Sequence, residues 1–167
     1  ALLSAMSGRS RGPQLAVAKD LGVEVFGCAS GGCLLTDPLI ARRLRDLFAR
    51  CPDWNEHDAR LTTLGRHLRL HPGLKVILGR DAAENARLET SAATLPAATF
   101  TTEPGPTAIL RGHYAEVDRV KIGRLLRHFA PKVKAARVEV RLRTGEQVTT
   151  WTADHPATPE EIALWSI

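Results

Sequence analysis

The chain has 167 residues, enough for one domain of moderate size or a smaller domain with an ordered extension. With 44% hydrophobic and 25% charged residues it has the composition of a soluble globular protein, and no apolar run approaches the ~20 residues of a membrane-spanning helix, so no membrane partner is expected. A formal net charge of +5 turns attention to anionic partners.

Residues 13–21 read as a helix stopped by Gly22, followed by a strand at 23–26 that runs into the loop Gly27-Cys28-Ala29-Ser30-Gly31-Gly32-Cys33. Asp37 then caps a helix with Pro38 in its first turn, and Ile40, Leu44, Leu47 and Phe48 share one face of it. Residues 51–58, CPDWNEHD, have the polar, Pro-containing make-up of a connector. They divide the chain into an extension at 1–57 and a domain at 58–167.

In that domain, strands at 67–70 and 74–78 meet at the compact turn His71-Pro72-Gly73. Asp81, with Glu84 three residues later, opens a helix over 82–92 in the manner of a capping box. Strands around 97–102 and 107–111 flank Glu103-Pro104-Gly105-Pro106. Ile122, Leu125, Leu126 and Phe129 recur at helical spacing and stop before Pro131. Residues 136–151 alternate on both sides of Thr144-Gly145 as a hairpin does, and Thr158-Pro159 with Glu161 opens a last helix. Adjacent strands with interspersed helices imply an α+β fold, a small and mainly antiparallel sheet with packed helices behind a helical and loop extension.

The charge is uneven. Between Arg111 and Arg143 lie ten Lys or Arg and only three acids, Glu116, Asp118 and Glu139, so this stretch carries more positive charge than the whole chain. Concentrated charge of this kind attracts phosphate backbones through counterion release. The candidate contacts are Lys121, Arg124, Arg127, Lys132, Lys134, Arg141 and Arg143, which are expected to form one phosphate-facing surface; Arg66 and Arg69 of GRHLRL, on opposite faces of a strand, are further candidates. His67 reads as structural, whereas His71 and His113 fall in loops where either phosphate contact or plain exposure fits. Trp54, Trp151 and Trp165 read as packing residues before base-stacking ones.

The Cys-Gly loop admits several chemistries. Ser30-Gly31-Gly32 resembles the start of the Ser-Gly-Gly-x-Asp-Ser phosphate loop of pyrophosphatase-type synthetases, but it continues Cys33-Leu34-Leu35. Apolar side chains then stand where a polar pocket is needed, and ATP hydrolysis by this chain alone is not expected. Cys28 and Cys33 have a metal-ligand spacing without an evident second pair, so no metal site is expected; Cys28 reads as a small buried hydrophobe. Cys33, after two glycines and close before a helix, is the thiol placed for a lowered pKa and the one candidate catalytic residue. Three cysteines without framework spacing fit a reducing, cytoplasmic setting, and the opening Ala-Leu-Leu reads as mid-protein sequence, as in a piece of a longer chain.

Two resemblances add to these readings. Residues 7–38, SGRSRGPQLAVAKDLGVEVFGCASGGCLLTDP, resemble the segment that follows the ATP-pyrophosphatase (PP-loop) domain in tRNA 2-thiouridylase-like proteins. The resemblance implies that Cys33 corresponds to the second cysteine of a thiolation pair, which relays sulfur as a persulfide or holds an iron–sulfur cluster. ATP, any cluster and the partner cysteine would then belong to a domain outside this chain, in cis or in trans, leaving no cofactor here.

Residues 73–90, GLKVILGRDAAENARLET, resemble the Gly-Arg-Asn-x-x-x-Asn signature of the NFACT RNA-binding domain, with a strand before it and Pro104-Gly105 after it. Asp81 stands where that signature has Asn, and AATFTT replaces its Trp-and-His run. The resemblance implies an RNA partner, tRNA or another structured RNA; Arg80, just after a strand, is placed either to grip a phosphate or to pair with Glu84 or a carbonyl at the turn. Three readings stand at this point: an RNA-binding accessory module of a tRNA thiolation enzyme, a catalytic piece acting through Cys33, and a dimerisation or interaction domain.

Overall fold

The computed structural model describes residues 16–17, 19–22 and 34–167. Two compact units divide it, 1–37 and 38–167. In the first, the described residues include helical positions ending at Gly22, whose φ of 71° is the left-handed stop that glycine supplies, and a 3-10 turn at Leu34–Thr36. The expected strand at 23–26 and the Cys28–Cys33 loop lie outside the described residues.

The second unit runs α1 (Pro38–Arg50), α2 (Glu56–Leu61), β1 (Arg66–His71), β2 (Leu74–Leu78), α3 (Ala82–Ser91), β3 (Ala97–Phe100), β4 (Ala108–Gly112), α4 (Asp118–His128), β5 (Val138–Thr144), β6 (Gln147–Ala153) and α5 (Pro159–Trp165). The strands form one antiparallel sheet in the order β1-β2-β4-β3-β5-β6. The α+β expectation holds. The compact unit begins at Pro38, upstream of the polar connector, and that connector itself folds: Asn55 and Asp58 form a reciprocal capping box that starts α2.

Alternation along the strands sends side chains to two cores. On one face Leu68, Val76, Leu110, Val140 and Leu142 pack against Ile122, Leu125 and Leu126 of α4 and Trp165 of α5. On the other, Ile77, Ala97 and Ile109 meet Leu61 of α2, Leu88 of α3 and Ala92 just after it. β2 is buried along its whole length because both its faces are covered. β5 alternates strictly between buried and exposed as far as Arg143, because the α1–α3 layer stops at β3 and leaves the second face of β5 and β6 open. That open face is where a ligand can reach the sheet.

Polar groups lock α1 beneath β1 and β2. Arg69 is bidentate to Asp46 at 2.6 and 2.7 Å, and the ammonium of the fully buried Lys75 lies 3.1 Å from the same carboxylate. Arg43 donates to the carbonyls of Thr62 and Gly65. His67, expected to be structural, is buried beside this cluster. Its Nε2 lies 3.1 and 2.9 Å from the Leu61 and Leu64 carbonyls, so the proton sits on Nε2. Burial, with Lys75 and Arg43 nearby, pushes its pKa down to about 3.

Between about 6.5 and 3 the unfolded chain binds a proton at His67 that the folded chain does not, so stability falls as pH falls through that window. The slope is about 1.4 kcal/mol per pH unit. From pH 6.5 to 5, above the range where carboxylates titrate, the loss is on the order of 2 kcal/mol. His67→Gln, which keeps a donor toward the two carbonyls, should flatten urea-derived stability across that interval; an unchanged slope would assign the pH dependence to another group.

Candidate nucleic-acid interface

The open face has a defined register. Thr99, Arg141 and Thr150 form one row across β3, β5 and β6, and Ala97, Arg143 and Val148 form the next. Arg141 and Arg143 are therefore neighbours on one face of β5, separated by two residue rises, about 6.7 Å along the strand. That spacing is comparable with the distance between adjacent phosphates on one nucleic-acid strand. Both are exposed, and neither side chain has an ion pair or hydrogen bond among the described residues. With Glu89 of α3, Ala92 just after it and Thr107 before β4, the residues Ala97, Thr99, Arg141, Arg143 and Val148 of these rows line a cavity of about 340 Å³.

Of the Gly-Arg…Asn…Pro-Gly residues, Gly79 and Asn85 hold Thr107, which lines this cavity. Gly79 donates to the Thr107 carbonyl at 3.1 Å, and the Asn85 side chain accepts from the Thr107 amide at 3.0 Å. A Cβ at Gly79 would overlap the Asn85 amide, and one at Gly105 would overlap the Phe100 ring. These glycines serve close approach, not a special backbone angle. Asp81, where the resembling signature has Asn, accepts from the Glu84 amide as the N-cap of α3; both residue types cap well, so the exchange preserves the turn. The expected return contact of a capping box is absent, because Glu84 turns to the amide and guanidinium of Arg80 instead. This pairing draws the Glu84 carboxyl down to about 2.

The other sequence-derived candidates are dispersed. Arg69 is held by Asp46, and Arg66 lies 4.7 Å from the centre of the Phe129 ring. Arg80 pairs with Glu84, and Arg124 with Glu161 through two hydrogen bonds of 2.7 and 2.6 Å. Arg127 is half-buried and donates to the Ala135 carbonyl. Lys121 on α4, and Lys132 and Lys134 in the α4–β5 loop, have no partner among the described residues.

The expectation of one phosphate-facing surface does not hold. α4 packs on the sheet face that buries Val140 and Leu142, so its cations stand on the opposite side of the sheet from Arg141 and Arg143. His71 lies 3.3 Å from Asp118 at the start of α4, and His113 is exposed after β4. Trp165 is in the core and Trp151 at its margin, while exposed Trp54 stacks against Phe48 at 4.8 Å.

Sequence reasoning missed Glu89 and Thr107, which face the cavity, because neither belongs to a charge run or to a recognised spacing. It also missed the buried Lys75 and the Arg111–Asp58 pair, whose partners are distant in sequence. Among the described residues no group of His, Cys, Asp or Glu is gathered for a metal ion, and Cys33 lies outside them. Cys51 is a buried free thiol.

The family described as NFACT protein RNA binding domain matches residues 65–166, from the residue before β1 to the end of α5. The chain belongs to the NFACT RNA-binding domain family. The matched region contains the complete six-stranded sheet, the cavity, Arg141 and Arg143. A solved structure of the C-terminal region of the fibronectin/fibrinogen-binding protein from Streptococcus suis has the same fold, with a TM-score of 0.50 at 15% identity. It is matched over 62% of this chain and 49% of its own length, so this chain spans about half of it. No curated protein matches the sequence. An RNA partner is thus the family's property.

Proposed function

We propose that this chain is the RNA-binding accessory module of a tRNA thiolation enzyme, and that its NFACT domain holds tRNA by the phosphate backbone on the open sheet face. One observation carries the reading. In a domain of an RNA-binding family, Arg141 and Arg143 stand side by side beside a cavity, without a carboxylate partner among the described residues. Unpaired guanidinium groups at this spacing can meet successive phosphates bidentately, whereas Arg69, Arg80 and Arg124 are already held by carboxylates.

The thiolation context rests on the resemblance of residues 7–38 to the segment after a PP-loop domain. In that context an ATP-pyrophosphatase domain, in cis or in trans, activates the nucleotide in the cytoplasm. Cys33 is then the candidate persulfide or cluster cysteine, and this NFACT domain supplies grip and not chemistry.

Titrating the chain with tRNA at low and raised salt tests the grip. Retention that weakens steeply with salt is expected, and no binding at low salt would contradict the reading. Cys33→Ser is expected to leave tRNA retention unchanged, since the thiol belongs to the chemistry; lost retention would show that the two roles are not separable.

A further inference from the structure

The cavity beside Arg141 and Arg143 contains one group that does not suit a phosphate site. Glu89, exposed on α3, lines it, and its carboxylate has no ion pair although two arginines line the same space. Its single hydrogen-bond partner among the described residues is the hydroxyl of the buried Thr107, 3.4 Å from Oε1. Thr107 is itself fixed through its backbone by Gly79 and Asn85. The carboxylate thus reaches the cavity with most of its acceptor capacity unused.

A carboxylate facing a polyanion costs binding unless donors reach it. Phosphates, sugar ether oxygens and base carbonyls are acceptors and the ribose 2′-hydroxyl offers a single donor, so a base edge is what can offer Glu89 two donors at once. Guanine presents N1–H and the N2 amino group side by side, which matches the two oxygens of one carboxylate. Cytosine and adenine offer one amino group, and uracil offers one N–H between two carbonyls that a carboxylate repels. The cavity, about 340 Å³, falls at the lower end of small-ligand sites and is large enough for a single base. No aromatic side chain lines it, so stacking does not compete with edge recognition there.

We propose that this cavity seats one unpaired guanine of the bound RNA, with the Watson–Crick edge on the Glu89 carboxylate and the adjoining phosphates on Arg141 and Arg143. The assignment builds on the RNA-binding reading above and adds a base preference to it. Unpaired bases are what proteins read on RNA, because the A-form major groove is closed to side chains.

The test measures binding of short uridine oligomers carrying one central guanosine, inosine, adenosine, cytidine or uridine. The wild-type chain should prefer guanosine over inosine and uridine by about tenfold or more, the discrimination expected of one good bidentate pair. Glu89→Gln should abolish that preference while leaving affinity for the all-uridine oligomer unchanged or raised. Equal binding of all oligomers, or a guanosine preference that survives Glu89→Gln, would overturn the guanine assignment and leave RNA binding standing. No binding of any oligomer or of tRNA would overturn both. Inosine lacks only the N2 amino group, so that comparison decides the matter in the unaltered protein.

Discussion

Reversing Arg141 and Arg143 together to glutamate is expected to reduce tRNA affinity by on the order of a hundredfold at low salt while leaving the fold intact. Both side chains are exposed on the open face of β5, so their replacement removes no core contact and no ion pair among the described residues. Surface changes of this type alter stability by about 0.5 kcal/mol or less. Each phosphate contact on a single strand contributes about 0.7 to the slope of log affinity against log salt, so losing two lowers that slope by about 1.4. Lys132→Glu with Lys134→Glu, which changes net charge equally from the α4–β5 loop, is the control. It should cost much less, through long-range attraction alone. Equal losses from both pairs would mean that total charge, and not the sheet face, determines affinity.

The second large effect concerns stability. Asp46→Ala should destabilise the fold by about 3–5 kcal/mol, the cost of leaving a buried charge without its partner. Lys75 is 2% exposed, and among the described residues Asp46 is the one carboxylate paired with both it and Arg69. Burial pulls the Lys75 ammonium below its ordinary range against the pull of Asp46. Burial also acts to raise the Asp46 carboxyl, but hydrogen bonds and charge from Arg69 and Lys75 outweigh it and hold the group below its usual value. The Asp46 contribution is therefore present above its unfolded pKa and is lost as pH falls through the folded one. The melting temperature of Asp46→Ala should drop by roughly 10 °C or more. Adding Lys75→Met should recover part of the loss, because an apolar side chain then fills the site. If Asp46→Ala melted like the parent, the ammonium would have to reach water or another acceptor, against the burial observed.

Periodicity made the sheet and its helices legible. The alternation of VEVRLRT, the spacing of Ile122, Leu125 and Leu126, and the capping box at Thr158 and Glu161 each correspond to the element that forms. The helix α2 was hidden because its capping pair, Asn55 and Asp58, sits in a polar stretch that also reads as a loop.

The fate of the cations was not legible, for a physical reason. A positive stretch shows charge but not its partners, and those partners come from afar: Asp46 for Arg69, Asp58 for Arg111, Glu161 for Arg124. The side of the sheet on which each cation falls depends on layer packing. Alternation places Arg141 and Arg143 together, but only the α1–α3 layer stopping at β3 leaves their face open. The signature residues Gly79, Asn85 and Gly105 were recognisable as a pattern, whereas their work, positioning Thr107 and closing against Phe100, emerges only from the packed chain.

Amide shift mapping of the isotope-labelled chain during titration with tRNA tests the central claim most directly, since it reports where the RNA lies. The largest changes are expected at Thr99, Arg141, Arg143 and Val148, with the outer face of α4 little affected. Changes confined to Lys121, Lys132, Lys134 and their neighbours, with β5 unmoved, would place the RNA on the opposite side of the sheet and contradict it.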